Sequence, residues 1–375
     1  MHLGSIVIKA CLEKVGLDPG AGHVDEVIMG QVLTGGKGQN PARQAAVNAG
    51  LPHSVPATTV NAVCGSGLKY DRYASPCIDS AALPSSGRSE KKLEPCHGQK
   101  LLGHKVQSWA VMLGVQGIRC GEARVVVCGG QESMSRALHG MELRSDRRRF
   151  GHETLVDILI QDGLTDAFTH QHMGLTAENV AAKYGVSRAA QDEFAAESQR
   201  KTSVAMREGR FRDEIVPVLC PGTKGETVEE DEFPRPSTTL EALAKLKPVF
   251  KAEGGTVTAG NASGLNDGAA CLLLMSQREA KLRRISPLAT IVSYAQCGVD
   301  PALMGIGPVP AVKAAVEKAG WRLEEVDWFE LNEAFAAQSV AVIRELNLDP
   351  SKVNPNGGAI ALGHPIGASG LFLLP

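Results

Sequence analysis

Aromatic side chains are scarce in this 375-residue chain: tryptophan, tyrosine and phenylalanine together reach only 4%. An excess of positive charge is missing as well. With 39 basic and 41 acidic residues the formal charge is −2, which argues against nucleic acid as the main partner. No apolar run approaches the roughly 18–20 residues of a membrane span. The opening "MHLGSIVIKACLEK" has the features of neither a signal peptide nor an Arg- and Ser-rich transit peptide, so a cytoplasmic location is expected. There is no P-loop, no GxGxxG turn and no metal-spaced Cys/His set. His170 and His172 in "THQHMG" are too isolated to argue for a metal site. The nine cysteines are odd in number and irregularly spaced, which suits free thiols in a reducing compartment rather than a disulfide framework.

What is present points to an α/β fold. Apolar residues make up 43% and glycines number 41, a profile of Ala-rich helices joined to strands by tight turns. The length allows two or three domains with a substantial core. The chain also resembles itself. "VIKACLEKVGL" (7–17) and "AVKAAVEKAGW" (311–321) share Lys, Ala, Glu, Lys and Gly in register, and each reads as an amphipathic helix closed by a glycine, Gly16 or Gly320. Each is followed by Val-Asp and a short apolar strand, "VDEVIMG" or "VDWFELN". A glycine-rich turn and a new helix come later in both: "VNAVCGSGLK" in the first half, "GGAIALGHPIGASG" in the second. The reading is two similar α/β halves, 1–130 and 261–375, with a loop domain at 131–260 covering the site before the chain returns to the core. Within that middle region Ser187 is expected to cap a helix that runs to Glu208 and ends at Gly209. The acidic run Glu229–Glu232 reads as a solvated loop face.

Three residues could carry chemistry. Cys64 follows a β-type run and precedes Gly-Ser-Gly; at a helix N-terminus its thiolate would be favoured, although a lone cysteine is more often a buried structural one. His364 stands before Pro365, which steers it from helical geometry and can open the next helix. The expected site is a turn at a strand end, matching the Cys64 turn of the other half. Convergence of the two would pair a nucleophile with its base; alone, each could be structural. Asn332 could cap a helix or hold a water or substrate oxygen, and Glu333 beside it could orient the histidine or be structural. "VTAGNASGLNDGAA" (257–270) reads as a turn packed closely on a sheet, or as backbone and Ser263 contacts to a ligand.

Six stretches in order, "VNAVCGSGLK", "GGQESMS", "HMGLTAENVA", "GNASGLNDGAA", "NEAFAAQ" and "GGAIALGHPIGASG", resemble the thiolases, with the closest likeness to the cytosolic acetyl-CoA acetyltransferases of that family. The resemblance covers nearly the whole chain outside 70–109. It implies two mixed-sheet α/β halves with an inserted loop domain, a homotetramer, and no resident cofactor or metal. It implies that Cys64 takes the acyl group from a coenzyme A thioester. His364 would activate Cys64 and, with a water on Asn332, form an oxyanion pocket. Two acetyl-CoA would yield acetoacetyl-CoA and CoA, with thiolysis as the reverse. By the same likeness Leu164, His172, Met173, Arg235, Phe250, Ala259, Ser263, Met304 and Phe335 line the coenzyme A tunnel, and Arg235 with Lys245 or Lys247 suits the nucleotide phosphates. Activity on longer 3-ketoacyl-CoA substrates, and a non-catalytic CoA- or lipid-binding role, are the rival expectations.

Three departures from the family pattern carry expectations of their own. Residues 70–109 have no counterpart; joining Lys69 to Ala110 would continue one helix, so the stretch reads as a foreign insert that must loop out. The family's opening strand is absent, which should leave a slot of unpaired backbone in the sheet. The sequence stops at Pro375, before a Cys-x-Gly segment whose cysteine moves the α-proton. Without that cysteine, condensation should fall by about 10²–10⁴-fold.

Overall fold

The computed structural model describes residues 2–64, 101–104, 109–141, 152, 154–220 and 225–372. The helix expected just after Cys64 at 65–69, most of the stretch 70–109 and the Arg-rich loop at 144–150 lie outside the described residues.

The N-terminal half runs α1 (His2–Lys14), β1 (Glu26–Gly30), α2 (Pro41–Asn48), β2 (Ala57–Val60), β3 (Leu101–His104), α3 (Trp109–Cys120) and β4 (Val125–Ser133). Two short antiparallel pairs follow, β5 (His139–Gly140) with β6 (Val156–Asp157) and β7 (Val218–Leu219) with β8 (Thr227–Val228). Between them lie α4 (Met173–Lys183) and α5 (Arg188–Arg207), and after them α6 (Leu240–Ala244). The chain continues as β9 (Asp267–Met275), α7 (Gln277–Arg283), α8 (Pro308–Ala319), β10 (Trp328–Leu331), α9 (Ala336–Glu345), α10 (Ala359–Leu362) and α11 (Ser369–Phe372).

The internal repeat is visible in the backbone. α1 and α8 are the two matched helices, and Gly16 (φ 72°) and Gly320 (φ 67°) both adopt the left-handed conformation that closes a helix. Ser187 caps α5, its hydroxyl accepting from the Ala190 amide at 3.2 Å, and Gly209 follows the helix at φ 68°.

The main sheet is mixed, in the order β2-β1-β4-β9: the first three strands are parallel and β9 is antiparallel. Val125, Val126 and Val127 are fully buried, as suits a central strand covered on both faces. α1 and α2 pack one face through Ile8, Leu12, Ala42 and Ala45; α3 packs the other through Ala110, Val111 and Val115. A second core joins Val309, Val312 and Val316 of α8, Phe329 and Leu331 of β10, and Ala341 and Val342 of α9 with Val180 and Ala181 of α4.

Four expectations are corrected here. No slot opens in the sheet: β1 pairs directly with β4 from Glu26↔Val126 to Gly30↔Gly130, because strands that close on one another satisfy the backbone a gap would strand. The boundary at 261 is misplaced, since β9 completes the N-terminal sheet by nine paired residues with β4. The middle segment is not simply a cover, because α4 shares the core of the C-terminal half. Part of the stretch expected to loop out is ordered, with Leu101–His104 forming β3 in parallel register with Trp328–Leu331 of β10. Among the described residues no helix is long and apolar enough to cross a membrane.

Candidate active site

The Cys64 turn follows β2. Asn61 organises it, donating from Nδ2 to the Val32 carbonyl (3.3 Å) and accepting the Val63 amide at Oδ1 (3.0 Å). Val63 has φ 55°, an outlying conformation for a β-branched residue, one position before the thiol. Cys64 is partly buried and packs with Leu164 and Ala137 on an apolar cluster of Val32, Leu33, Met134, Leu159 and Ile366. Ile366 is two residues from His364, so this cluster joins the two halves of the candidate site.

His364 is 5% exposed. It follows the one-turn helix α10 rather than the expected strand, and the next helix begins at Ser369 rather than at Pro365. Its amide donates to Asn266 Oδ1 at 3.2 Å, and its ring Nδ1 lies 2.6 Å from Ser369 Oγ. That hydroxyl gives its only hydrogen to the Pro365 carbonyl at 2.9 Å. Nδ1 is therefore the donor to Ser369, and Nε2 is left with the lone pair of a base. The turn is pressed onto β4: a Cβ added at Gly130 would lie 2.4 Å from the Gly367 carbonyl oxygen, so only glycine permits this approach. Glu132, 2% exposed, accepts from the amides of Val32 (2.9 Å) and Leu33 (3.3 Å) and from Gly367. Burial raises its carboxyl pKa, and those amides oppose the rise.

Asn332 follows β10 and is 2% exposed. The helix-capping alternative fails, because α9 begins at Ala336 with Phe335 at its N-cap. The Asn332 carbonyl accepts from Gln338 Nε2 at 3.2 Å, while among the described residues nothing accepts from its own Nδ2. A buried amide with an uncommitted donor is suited to holding a water or an oxyanion. Glu333 does not reach the histidine ring. It accepts from Ser198 Oγ (2.6 Å), Asn354 Nδ2 (2.7 Å) and the Ile360 amide (3.2 Å), so it fixes α10 beneath the turn; burial raises its carboxyl pKa.

Several expected tunnel residues meet. The His172 ring caps α4, accepting the Gly174 amide at Nδ1 (3.0 Å), and stacks on Phe250 with centroids 4.8 Å apart. Burial lowers the His172 pKa, which favours this neutral, accepting ring. Phe250 meets Phe335 edge-on at 6.4 Å, and Met173 begins α4. Ser263 donates from both its amide and its hydroxyl to the Ala334 carbonyl, each at 3.0 Å, while Ala262 bridges to Phe335. Leu164 packs on the same apolar cluster as Cys64, and its neighbour Thr165 bridges to His172. Met304 is partly buried in the 3₁₀ turn Pro301–Ile306, and Ala259 is exposed. Arg235 is exposed beside α5, its amide held by Gln199 Oε1 at 2.8 Å; Lys245 and Lys247 are also exposed. Among the described residues no group of three or more His, Cys, Asp or Glu is placed to hold a metal ion. The sequence reading missed Asn266, Ser369 and Glu132 as site residues, although all three lie in or beside the quoted glycine-rich stretches.

Comparison with known proteins identifies the family to which the fold belongs. The model of the thiolase N-terminal domain matches residues 1–73 and 108–278, and that of the thiolase C-terminal domain matches 285–374. The interruption after residue 73 falls within the stretch read as an insert. An acetyl-CoA acetyltransferase of Pseudomonas aeruginosa is 55% identical over 375 residues, covering all of this chain and 84% of the relative; one of Cupriavidus necator is 51% identical with the same coverage. The crystal structure of the Bacillus anthracis acetyl-CoA acetyltransferase superposes with a TM-score of 0.84 at 38% identity, over 99% of this chain and 84% of that one. The expectation of truncated ends finds no support in these matches. The chain belongs to the thiolase family.

Proposed function

We infer that this chain transfers acyl groups between coenzyme A thioesters, condensing two acetyl-CoA to acetoacetyl-CoA and CoA and running the thiolysis in reverse. The observation that carries the reading is the His364 ring. Its Nδ1 proton is held on Ser369 and its Nε2 is basic, on a turn that shares one apolar cluster with Cys64.

His364 takes the Cys64 proton as the thiolate attacks the thioester carbonyl. The tetrahedral centre collapses, the departing CoA sulfur receives the proton, and the acetyl group stays on Cys64. That acyl-enzyme remains electrophilic while the acceptor thioester enters. Asn332 Nδ2, directly or through a water, and His364 stabilise the negative charge that grows on the acceptor's thioester oxygen. Acylation of Cys64 and its exchange with CoA need only the Cys64–His364 pair. His172, Phe250 and Phe335 form the apolar wall for the pantetheine arm, with Met173, Leu164, Met304, Ala259 and Ser263 extending it and Arg235 near the nucleotide. A cytoplasmic homotetramer is part of the same proposal.

The test is intact-mass and peptide mass spectrometry after incubation with acetyl-CoA, beside Cys64→Ala. An acetyl group on Cys64, absent from the variant, is the expected result. A folded protein that gains no acetyl group on Cys64 would sink the proposal.

A further inference from the structure

Away from the candidate site, two thiols from distant parts of the chain face one another. Cys11 lies on α1, and Cys271 lies on β9. The Cys271 thiol donates to the Val7 carbonyl at 2.9 Å. Val7 is four residues before Cys11, so in an α-helix its carbonyl is the acceptor for the Cys11 amide and both residues lie on one face. The Cys271 sulfur therefore sits under the turn that carries Cys11, close enough for each thiol to shift the titration of the other. Directly opposite Cys271 in the sheet is Gly129 of β4, over which the Met29 side chain packs.

The neighbouring Cys128 thiol is excluded by the pleat. Cys128 precedes Gly129, so it projects from the opposite face. There it packs under α3 and donates to the Ala110 carbonyl at 3.0 Å. The pair also has one reactive member. The interaction with Cys271 and, less strongly, the charge of Lys14 one turn beyond lower the Cys11 pKa against its burial, whereas the interaction with Cys11 and burial raise that of Cys271. Cys11 is only partly buried on α1, whereas Cys271 lies deeper, on β9.

We propose that Cys11 and Cys271 form a redox-responsive pair that closes to a disulfide and pins α1 to β9. The oxidant is a small disulfide such as oxidised glutathione. The Cys11 thiolate attacks one of its sulfurs, forming a mixed disulfide and expelling one glutathione thiolate. Cys271 then gives up its proton and attacks the Cys11 sulfur, and the second glutathione leaves. Two protein thiols are oxidised, one disulfide is reduced to two thiols, and the two protons end on the glutathiones.

The experiment treats the full reduced chain with oxidised glutathione, blocks remaining thiols with N-ethylmaleimide in acid, and maps peptides without reduction. The expected product is a cross-linked peptide joining Cys11 to Cys271, lighter by two hydrogens than its parts and absent from Cys11→Ser and from Cys271→Ala. The thermal midpoint of the oxidised chain should rise, and reductant should return it. Full maleimide labelling of both cysteines after oxidant would overturn the proposal. So would a glutathione adduct that persists on Cys11 while Cys271 stays free. Two variants are used because one substitution under α1 could impair folding, and the wild-type cross-link can be read without either.

Discussion

The two turns that meet at the candidate site are built differently. The His364 turn is buried, pressed onto glycine in β4, tied by its amide to Asn266 and locked through Ser369 to its own backbone. The Cys64 turn is more open. Asn61 is exposed, Val63 is 40% exposed at a left-handed φ, and Cys64 meets the C-terminal half through apolar packing. A base must present one nitrogen in one protonation state, and hydrogen bonds fix that. A nucleophile must leave its resting place to form a bond, and apolar contacts resist such movement less. The two halves of one repeat have thus been put to opposite mechanical uses.

The comparison is broken most severely at the base. His364→Ala should slow Cys64 acylation by about 10²–10⁴-fold, measured as the rate of acetyl-adduct formation. A loss below tenfold would mean that Cys64 does not need this imidazole. Asn332→Ala comes next. Removing one oxyanion donor costs about 10²–10³-fold in kcat. The thiolysis of acetoacetyl-CoA reads it, with Cys64 acetylation affected far less if the amide serves the acceptor thioester.

Smaller effects sharpen the contrast. Val63→Gly should stabilise the protein by about 1 kcal/mol in urea unfolding, because relief of a strained φ outweighs the entropy glycine adds to the unfolded chain. An unchanged or lower midpoint would show that the Cys64 turn carries no strain. A second, pH-dependent effect on stability lies in β10. Burial on β10 pushes the Glu330 carboxyl up to about 8, with Glu333 and Glu214 adding like charge and Lys201 opposing them. The folded state then holds a proton that the unfolded chain, titrating near 4.5, has released. The stabilisation is full below about 4.5 and is lost as pH rises through 8. Glu330→Gln should flatten the decline in stability between pH 5 and 8, and identical pH profiles for the two proteins would refute this assignment.

Local features of both turns were readable from residue order. Helix caps at Gly16, Ser187 and Gly320 need only their neighbours, and the paired helices of the repeat announced two halves. Cys64, Asn332 and His364 were legible because each sits in a stretch of unusual composition. What escaped was set by partners far along the chain. The pairing of β1 with β4 and of β9 with β4 leaves no mark in any one strand. "AIAL" before His364 is a four-residue apolar run, too short for periodicity to separate strand from helix. It is helical here because its amides find the Gly358 carbonyl and Glu333 within reach. Ser369 could be assigned to the histidine only once the turn had brought Oγ to Nδ1. Glu132 reads as one polar residue in a strand until its oxygens meet amides from residues 32 and 33.

The direct zipper between β1 and β4 has a consequence for how the molecule opens. Val27 and Met29 are fully buried and Ile28 nearly so, and the strand that holds them is bonded along both edges, to β2 and to β4. Their amides can exchange with heavy water only when the whole sheet comes apart, which should place them among the slowest in the protein. For the same reason a separate peptide offered as one more strand would find no berth between β1 and β4. It could dock only by first prying apart the most protected seam of the fold.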